Sequence, residues 1–165
     1  MPDNAAVNVH MPPVAVPGTG EYVVKTEIPV YPDDVGTDGK ASETDVLRWF
    51  ERCRTDFCGG APGLAALKEA GVFVVVAKIA KGVFDVEKLN VLGKKLCVRS
   101  VVKVLRKGAM IKFTQQLLDS PAGGEEASVL ASAEVTCTSI SAADGTISAL
   151  PQATMDALAA AAEKA

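Results

Sequence analysis

The sequence predicts an α+β domain in which one buried helix lies against a curled antiparallel sheet. Three observations lead there. The first is a helix-period apolar run, Val46, Phe50, Cys53 and Phe57, flanked by Leu47 and Trp49; a stripe that wide needs a large surface to bury it. The second is a series of strand-length apolar segments after residue 70, two of them separated only by Arg106-Lys107-Gly108. The third is the order, one strand, one helix, then strands, which puts helix and sheet in separate layers.

Composition bounds the rest. A chain of 165 residues with 48% hydrophobic and 22% charged residues can bury one core of its own, and a formal charge of -3 does not suit a nucleic-acid-binding polycation. No apolar run reaches the roughly 20 residues of a membrane span. Gly71 to Ala80 is soon interrupted by Lys78 and Lys81 and reads as a buried strand. Cys53, Cys58, Cys97 and Cys137 form no C-x-x-C and read as reduced core residues. The opening MPDNAAVNVHMPPVAVPGTG lacks the basic and apolar regions of a secretory signal, and no arginine precedes Arg48, which points to the cytoplasm.

Met1 to Gly20, rich in Pro, Gly and Asn and without period, reads as a flexible tail, leaving residues 21–165 as a single domain. From Glu21 to Tyr31, Tyr22, Val24, Thr26, Ile28 and Val30 alternate with Lys25, Glu27 and Pro29, giving a strand with one polar face; Pro29 marks an edge or an irregular end. Ser42-x-x-Asp45 has the form of a capping box, and Glu43 and Asp45 suit the positive end of a helix. Gly59-Gly60 stops that helix, and Leu64 to Ala70 forms a short helical piece. Strands follow at Val72 to Ala80, Lys95 to Leu105, Met110 to Leu118 and Ser128 to Ser141. Arg106-Lys107-Gly108 joins the second to the third as a hairpin, and Asp119 to Glu126 joins the third to the fourth. After an Asp144-Gly145 turn and Pro151, Gln152 to Glu163 reads as a terminal helix. There is no internal repeat.

Val46-Leu47-Arg48-Trp49-Phe50-Glu51-x-x-Arg54 resembles the Y-L-R-W-F-E segment and following arginine of the 4-hydroxybenzoyl-coenzyme A thioesterase family. The Ala142-Ala143-Asp144-Gly145 turn, Leu150-Pro151 and the final helix match it too. The resemblance runs from Tyr22 to about Ala161 and implies the hotdog fold, a sheet wrapped around one central helix. Asp34-Val35-Gly36-x-Asp38-x-x-Ala41-Ser42 is similar to the loop of the acyl-acyl carrier protein thioesterases, with Glu43-Thr44 one position early. Gly36 stands where the first family carries its second, usually catalytic aspartate, and Gly39 to Glu43 replace its G-H-V-N-N.

The resemblance implies hydrolysis of an acyl thioester on coenzyme A or acyl carrier protein. That reaction needs a carboxylate to attack or to activate water, and donors for the developing oxyanion. Asp34 and Asp38 on the loop and Glu43 on the helix are the carboxylate candidates, with Glu51 a distant fourth. Lys40, Ala41 and Ser42 would supply amides, Trp49 would line the substrate site, and Lys103, Arg106 and Lys107, with Lys112 and Arg99, would take the phosphates of coenzyme A. Each has a plainer role: Asp34, Asp38 and Gly39 as turn residues, Glu43 as a dipole partner, Glu51 paired with Arg48 or Arg54, and the basic hairpin simply solvated. His10, the single histidine, lies in the tail, so a histidine triad or histidine-rich metal site has no material, and no cofactor motif is present. Two functions stand: a thioester hydrolase, or a hotdog without catalysis that binds acyl groups or builds an assembly, which Gly36 favours. Either implies a homodimer or homotetramer, because a single hotdog leaves sheet edges unpaired.

Overall fold

The computed structural model of the chain describes residues 12–163. A six-stranded, wholly antiparallel sheet holds β1 (Val14–Val16), β2 (Glu21–Pro29), β3 (Val72–Phe84), β4 (Lys95–Leu105), β5 (Met110–Leu118) and β6 (Val129–Ser141), in the order β1-β2-β4-β5-β6-β3. Helix α1 (Glu43–Phe57) lies on β2, β4 and β5; α2 (Gly60–Glu69) leads into β3, and α3 (Gln152–Glu163) closes the chain beside β1. This is the hotdog arrangement the sequence predicts. Among the described residues no helix is long and apolar enough to cross a membrane.

The alternation read in β2 is the buried face: Val24, Thr26, Ile28 and the following Val30 point inward while Lys25 and Glu27 face out. β4, β5 and β6 pair in sequence order as the meander requires. Val46, Phe50, Cys53 and Phe57 of α1 enter the concave face, where Phe57 meets Tyr22 and Phe113 edge-on with ring centroids 6.0 and 5.6 Å apart. All four cysteines are free.

Two expectations are corrected. The segment read as a tail to Gly20 contains β1, whose Val14–Val16 pair with Glu21–Val23; residues 1–11, with His10, lie outside the described residues. Three residues are too few to show a period, so the strand is set by its partner. Beyond Val23 the outer edge of β2 has no strand beside it among the described residues, which accommodates Pro29 at its end. The second correction concerns β3. It is an edge strand, longer than predicted and bulged near Val76 and Ala80, with Phe73 45%, Val76 46%, Ile79 46% and Val83 62% exposed. Its apolar composition belongs to a surface that no described residue of this chain covers.

Between α1 and α2 the chain turns through Cys58, Gly59 (φ 98°) and Gly60 (φ 70°). At Gly63 the backbones approach so closely that an added Cβ would lie 1.9 Å from the Cys58 carbonyl oxygen. Neither group is a movable side chain. Gly63→Ala is therefore expected to destabilise the protein by roughly 2 kcal/mol or more, read from urea unfolding; an unchanged midpoint would contradict this packing.

Candidate active site

The loop between β2 and α1 is built from side chains that replace missing backbone bonds. Pro32–Asp34 make one tight helical turn, in which the Tyr31 amide donates to Asp34 Oδ2 at 2.8 Å and the Asp34 amide to the Tyr31 carbonyl at 2.9 Å. Lys40 N–H donates to Asp38 Oδ1 at 3.0 Å, an Asx turn. Gly36 N–H reaches the Lys40 carbonyl at 3.0 Å and Gly39, at φ 78°, returns to Gly36. The turn is then fastened to the connection between β3 and β4. Ala41 N–H donates to the Leu89 carbonyl at 2.8 Å, and the Gly39 carbonyl accepts from Val91 and Leu92. Leu89 and Val91 are wholly buried, so the fastening is anchored in the core.

The capping box is present in full. Ser42 Oγ accepts from Asp45 N–H at 3.2 Å, and Asp45 Oδ2 accepts from Ser42 N–H at 2.8 Å. This corrects the expected oxyanion donors: the amides of Lys40, Ala41 and Ser42 are all engaged. The first-turn amides of Glu43 and Thr44 have no acceptor among the described residues. Glu43 itself is exposed beside them.

An open groove of about 760 Å³ runs along the outer face of α1, from Asp34 past Arg48 and Trp49 to Asp56 and the Gly59–Pro62 corner. Trp49, almost completely buried, forms part of its wall. The structure thus brings Asp34 and Trp49 to one groove and sets Lys40, Ala41, Ser42 and Glu43 at one helix start. It does not bring Lys103, Arg106 and Lys107 to them. Lys103 pairs with Glu21, eight residues along β4 from the Lys95 that pairs with Pro29, or roughly 27 Å from the loop end of the sheet. Lys103 and Lys112 face each other across β4 and β5 on the solvent side. The expected ion pair of Glu51 is also absent: Arg48 turns to Asp45 at 2.8 Å, and Arg54 turns inward to Gln115.

That inward turn ends a buried polar chain the sequence reading missed. Arg54 Nη1 donates to Gln115 Oε1 at 2.9 Å; Gln115 Nε2 donates to the Phe50 carbonyl at 3.0 Å and to Ser100 Oγ at 2.9 Å; Ser100 Oγ lies 3.2 Å from Cys53 Sγ. Ser100 and Gln115 have no exposure at all. The signal was two polar residues at inward positions of otherwise apolar alternation, Val98-x-Ser100-x-Val102 and Phe113-x-Gln115-x-Leu117. Burial pushes the Cys53 and Cys58 thiols up to about 11 and raises Cys97 and Cys137 as well, which disfavours the thiolate form at each.

No protein-family model matches the sequence, and no curated protein matches it. Solved structures do. A 1,4-dihydroxy-2-naphthoyl-CoA thioesterase from Synechocystis superposes with a TM-score of 0.66 at 15% identity, covering 83% of this chain and 96% of that one. A DHNA-CoA thioesterase from Staphylococcus aureus gives 0.66 at 14% identity, covering 84% and 89%. An acyl-ACP thioesterase from Bacteroides thetaiotaomicron gives 0.62 at 14% identity, with 82% of this chain matching 53% of that one. These likenesses define the class of structure: the chain has the hotdog fold.

Asp45 offers a test of the helix start. Burial raises its pKa, but the Ser42 amide and hydroxyl and the Arg48 guanidinium outweigh that and hold it below the ordinary 3.8. A lowered folded pKa contributes stability that is complete above 3.8 and is lost as pH falls through the folded value. Urea unfolding between pH 7 and pH 3 is expected to show a shallower acid-side loss in Asp45→Asn than in the wild type; parallel curves would remove the capping box from the account.

Proposed function

We propose that this protein hydrolyses an acyl thioester of coenzyme A or acyl carrier protein, in the cytoplasm, as a homodimer or a homotetramer built from dimers. The observation that carries the reading is the helix start. Glu43 stands on the first turn of α1 beside two amides without an acceptor among the described residues, its own and that of Thr44, at the positive end of a buried helix, and the loop that carries Asp34 and Asp38 leads directly into that turn. One carboxylate takes a proton from water as the water oxygen attacks the thioester carbon. The carbonyl oxygen gains charge and accepts from the amides; the carbon–sulfur bond breaks, and the proton passes to the leaving thiolate. The folds of the Synechocystis and Staphylococcus thioesterases support this class of substrate.

The acyl group has an apolar strip to lie on. β6 presents Val135 and Cys137 toward α1, and their partners in β3, Ile79 and Val76, continue that face past the cover of α1. A second copy joined along β3 would close the strip and remove the unpaired edge. The second reading, an acyl-binding or structural hotdog without catalysis, is favoured by Gly36, where a Cβ would lie 3.0 Å from Asp38 Oδ1 and no second carboxylate is supplied.

Thiol release from a panel of short, long and aromatic acyl-coenzyme A and acyl carrier protein esters tests the hydrolase. Wild type is expected to turn over at least one, and one among Asp34→Ala, Asp38→Ala and Glu43→Ala to lose about 100-fold or more while remaining folded. Cleavage of none would favour the binding reading. Light scattering tests the assembly: a double variant carrying Val75→Lys and Ile79→Lys is expected to run as a monomer and to lose hydrolysis with the dimer, whereas a monomeric wild type would overturn the shared edge.

A further inference from the structure

Arg54 is out of place on apolar grounds. It sits between Phe50, Cys53 and Phe57 on one side of α1 and Leu47 and Cys58 on the other, is half-buried, and has burial as the strongest influence on its guanidinium, lowering its pKa. Its partner is a neutral amide, Gln115, and it makes no ion pair among the described residues. The charge of Glu51, three residues back on α1, acts on it from beyond ion-pair contact, and a cation partly withdrawn from water with no carboxylate in contact is expensive to keep. The surrounding structure nevertheless fixes it, since Gln115 is itself held by Ser100 and the Phe50 carbonyl.

The remaining donors are open. Only Nη1 is bonded, and no buried side-chain nitrogen or oxygen among the described residues lacks a partner, so Nε and Nη2 reach the accessible surface. Those two nitrogens form the side of the guanidinium fork that takes a carboxylate with two parallel bonds. Cys137, which pairs with Val76 on the apolar strip, is near enough to Arg54 for charge on one to act on the other, and so is Cys58, one turn on along the helix. Along the axis of α1, Arg54 stands roughly 16 Å from Glu43, eleven residues of helical rise.

We propose that Arg54 receives a carboxylate at the far end of the acyl chain, making the preferred substrate the monothioester of a long-chain dicarboxylic acid. The inference rests on the hydrolase reading, because it takes the thioester to lie at the start of α1. From there the methylene chain follows the strip of Val76 and Ile79 and ends at the fork. Gln115 positions the fork and touches no substrate.

Binding can be measured apart from catalysis with non-hydrolysable thioethers. S-(15-carboxypentadecyl)-coenzyme A is compared with S-hexadecyl-coenzyme A by titration calorimetry, two probes of matched chain differing in the terminal carboxylate. Wild type is expected to hold the carboxylated probe about tenfold or more tighter. Arg54→Gln should bring the ratio of the two dissociation constants close to one, and Arg54→Lys, which keeps the charge and loses the fork, should leave an intermediate ratio. Equal binding of both probes by a wild type that cleaves thioesters would overturn the inference and leave the hydrolase standing. Binding of neither, with no ester cleaved, would overturn both. An Arg54→Gln protein that becomes monomeric by light scattering would assign the fork to a carboxylate of the second copy and overturn it as a substrate site.

Discussion

The seat of α1 in the concave sheet is the constraint on which the rest depends. Apolar contact supplies the driving force, with Val46, Phe50, Cys53 and Phe57 removed from water. Apolar contact is also non-directional and would tolerate a helix slid or turned by a fraction of a residue. The polar bonds beneath it do not. Gln115 reaches up to the Phe50 carbonyl, Ser100 meets the Cys53 thiol, and the Thr26 hydroxyl on β2 bonds the Asp56 carboxylate. Together they fix height and rotation, and so fix where the first turn of α1 presents its amides.

Much of this was legible in the chain. Helix α1 announces itself by period and by Ser42 and Asp45, and the limits of β4, β5 and α3 fall where turn residues place them. What could not be read depends on partners distant in sequence. β1 is three residues long and exists because β2 is beside it. β3 reads as buried from composition, and it is an edge strand whose outer side no described strand covers, because apolarity records that a surface is covered without recording by what.

The site was legible in part for the same reason. Asp34, Asp38, Gly39 and Ser42 are turn and cap formers, and they form the turn and cap their chemistry favours. That local success removes candidates: amides spent on holding the loop are not free to hold a substrate, which moves the open donors to Glu43 and Thr44. Lys103, Arg106 and Lys107 are close to one another in sequence and far from the loop in space, since the register of β2 on β4 sets them at the opposite end. No motif in the sequence tied Arg54 to Gln115, residues brought together by the α1–β5 packing.

The fastening of the Gly36–Ala41 turn to Leu89, Val91 and Leu92 gives the acidic loop a mechanical character. It cannot breathe as a free surface loop does, because parting Ala41 from the Leu89 carbonyl would disturb the bridge between Lys40 and Asn90 and draw on two core side chains. The two segments, distant in the chain, are expected to open as one cooperative unit, with amide exchange set by that larger event. The β3–β4 connection, which bears none of the candidate groups, is thereby part of what holds the turn carrying Asp38 against the start of α1.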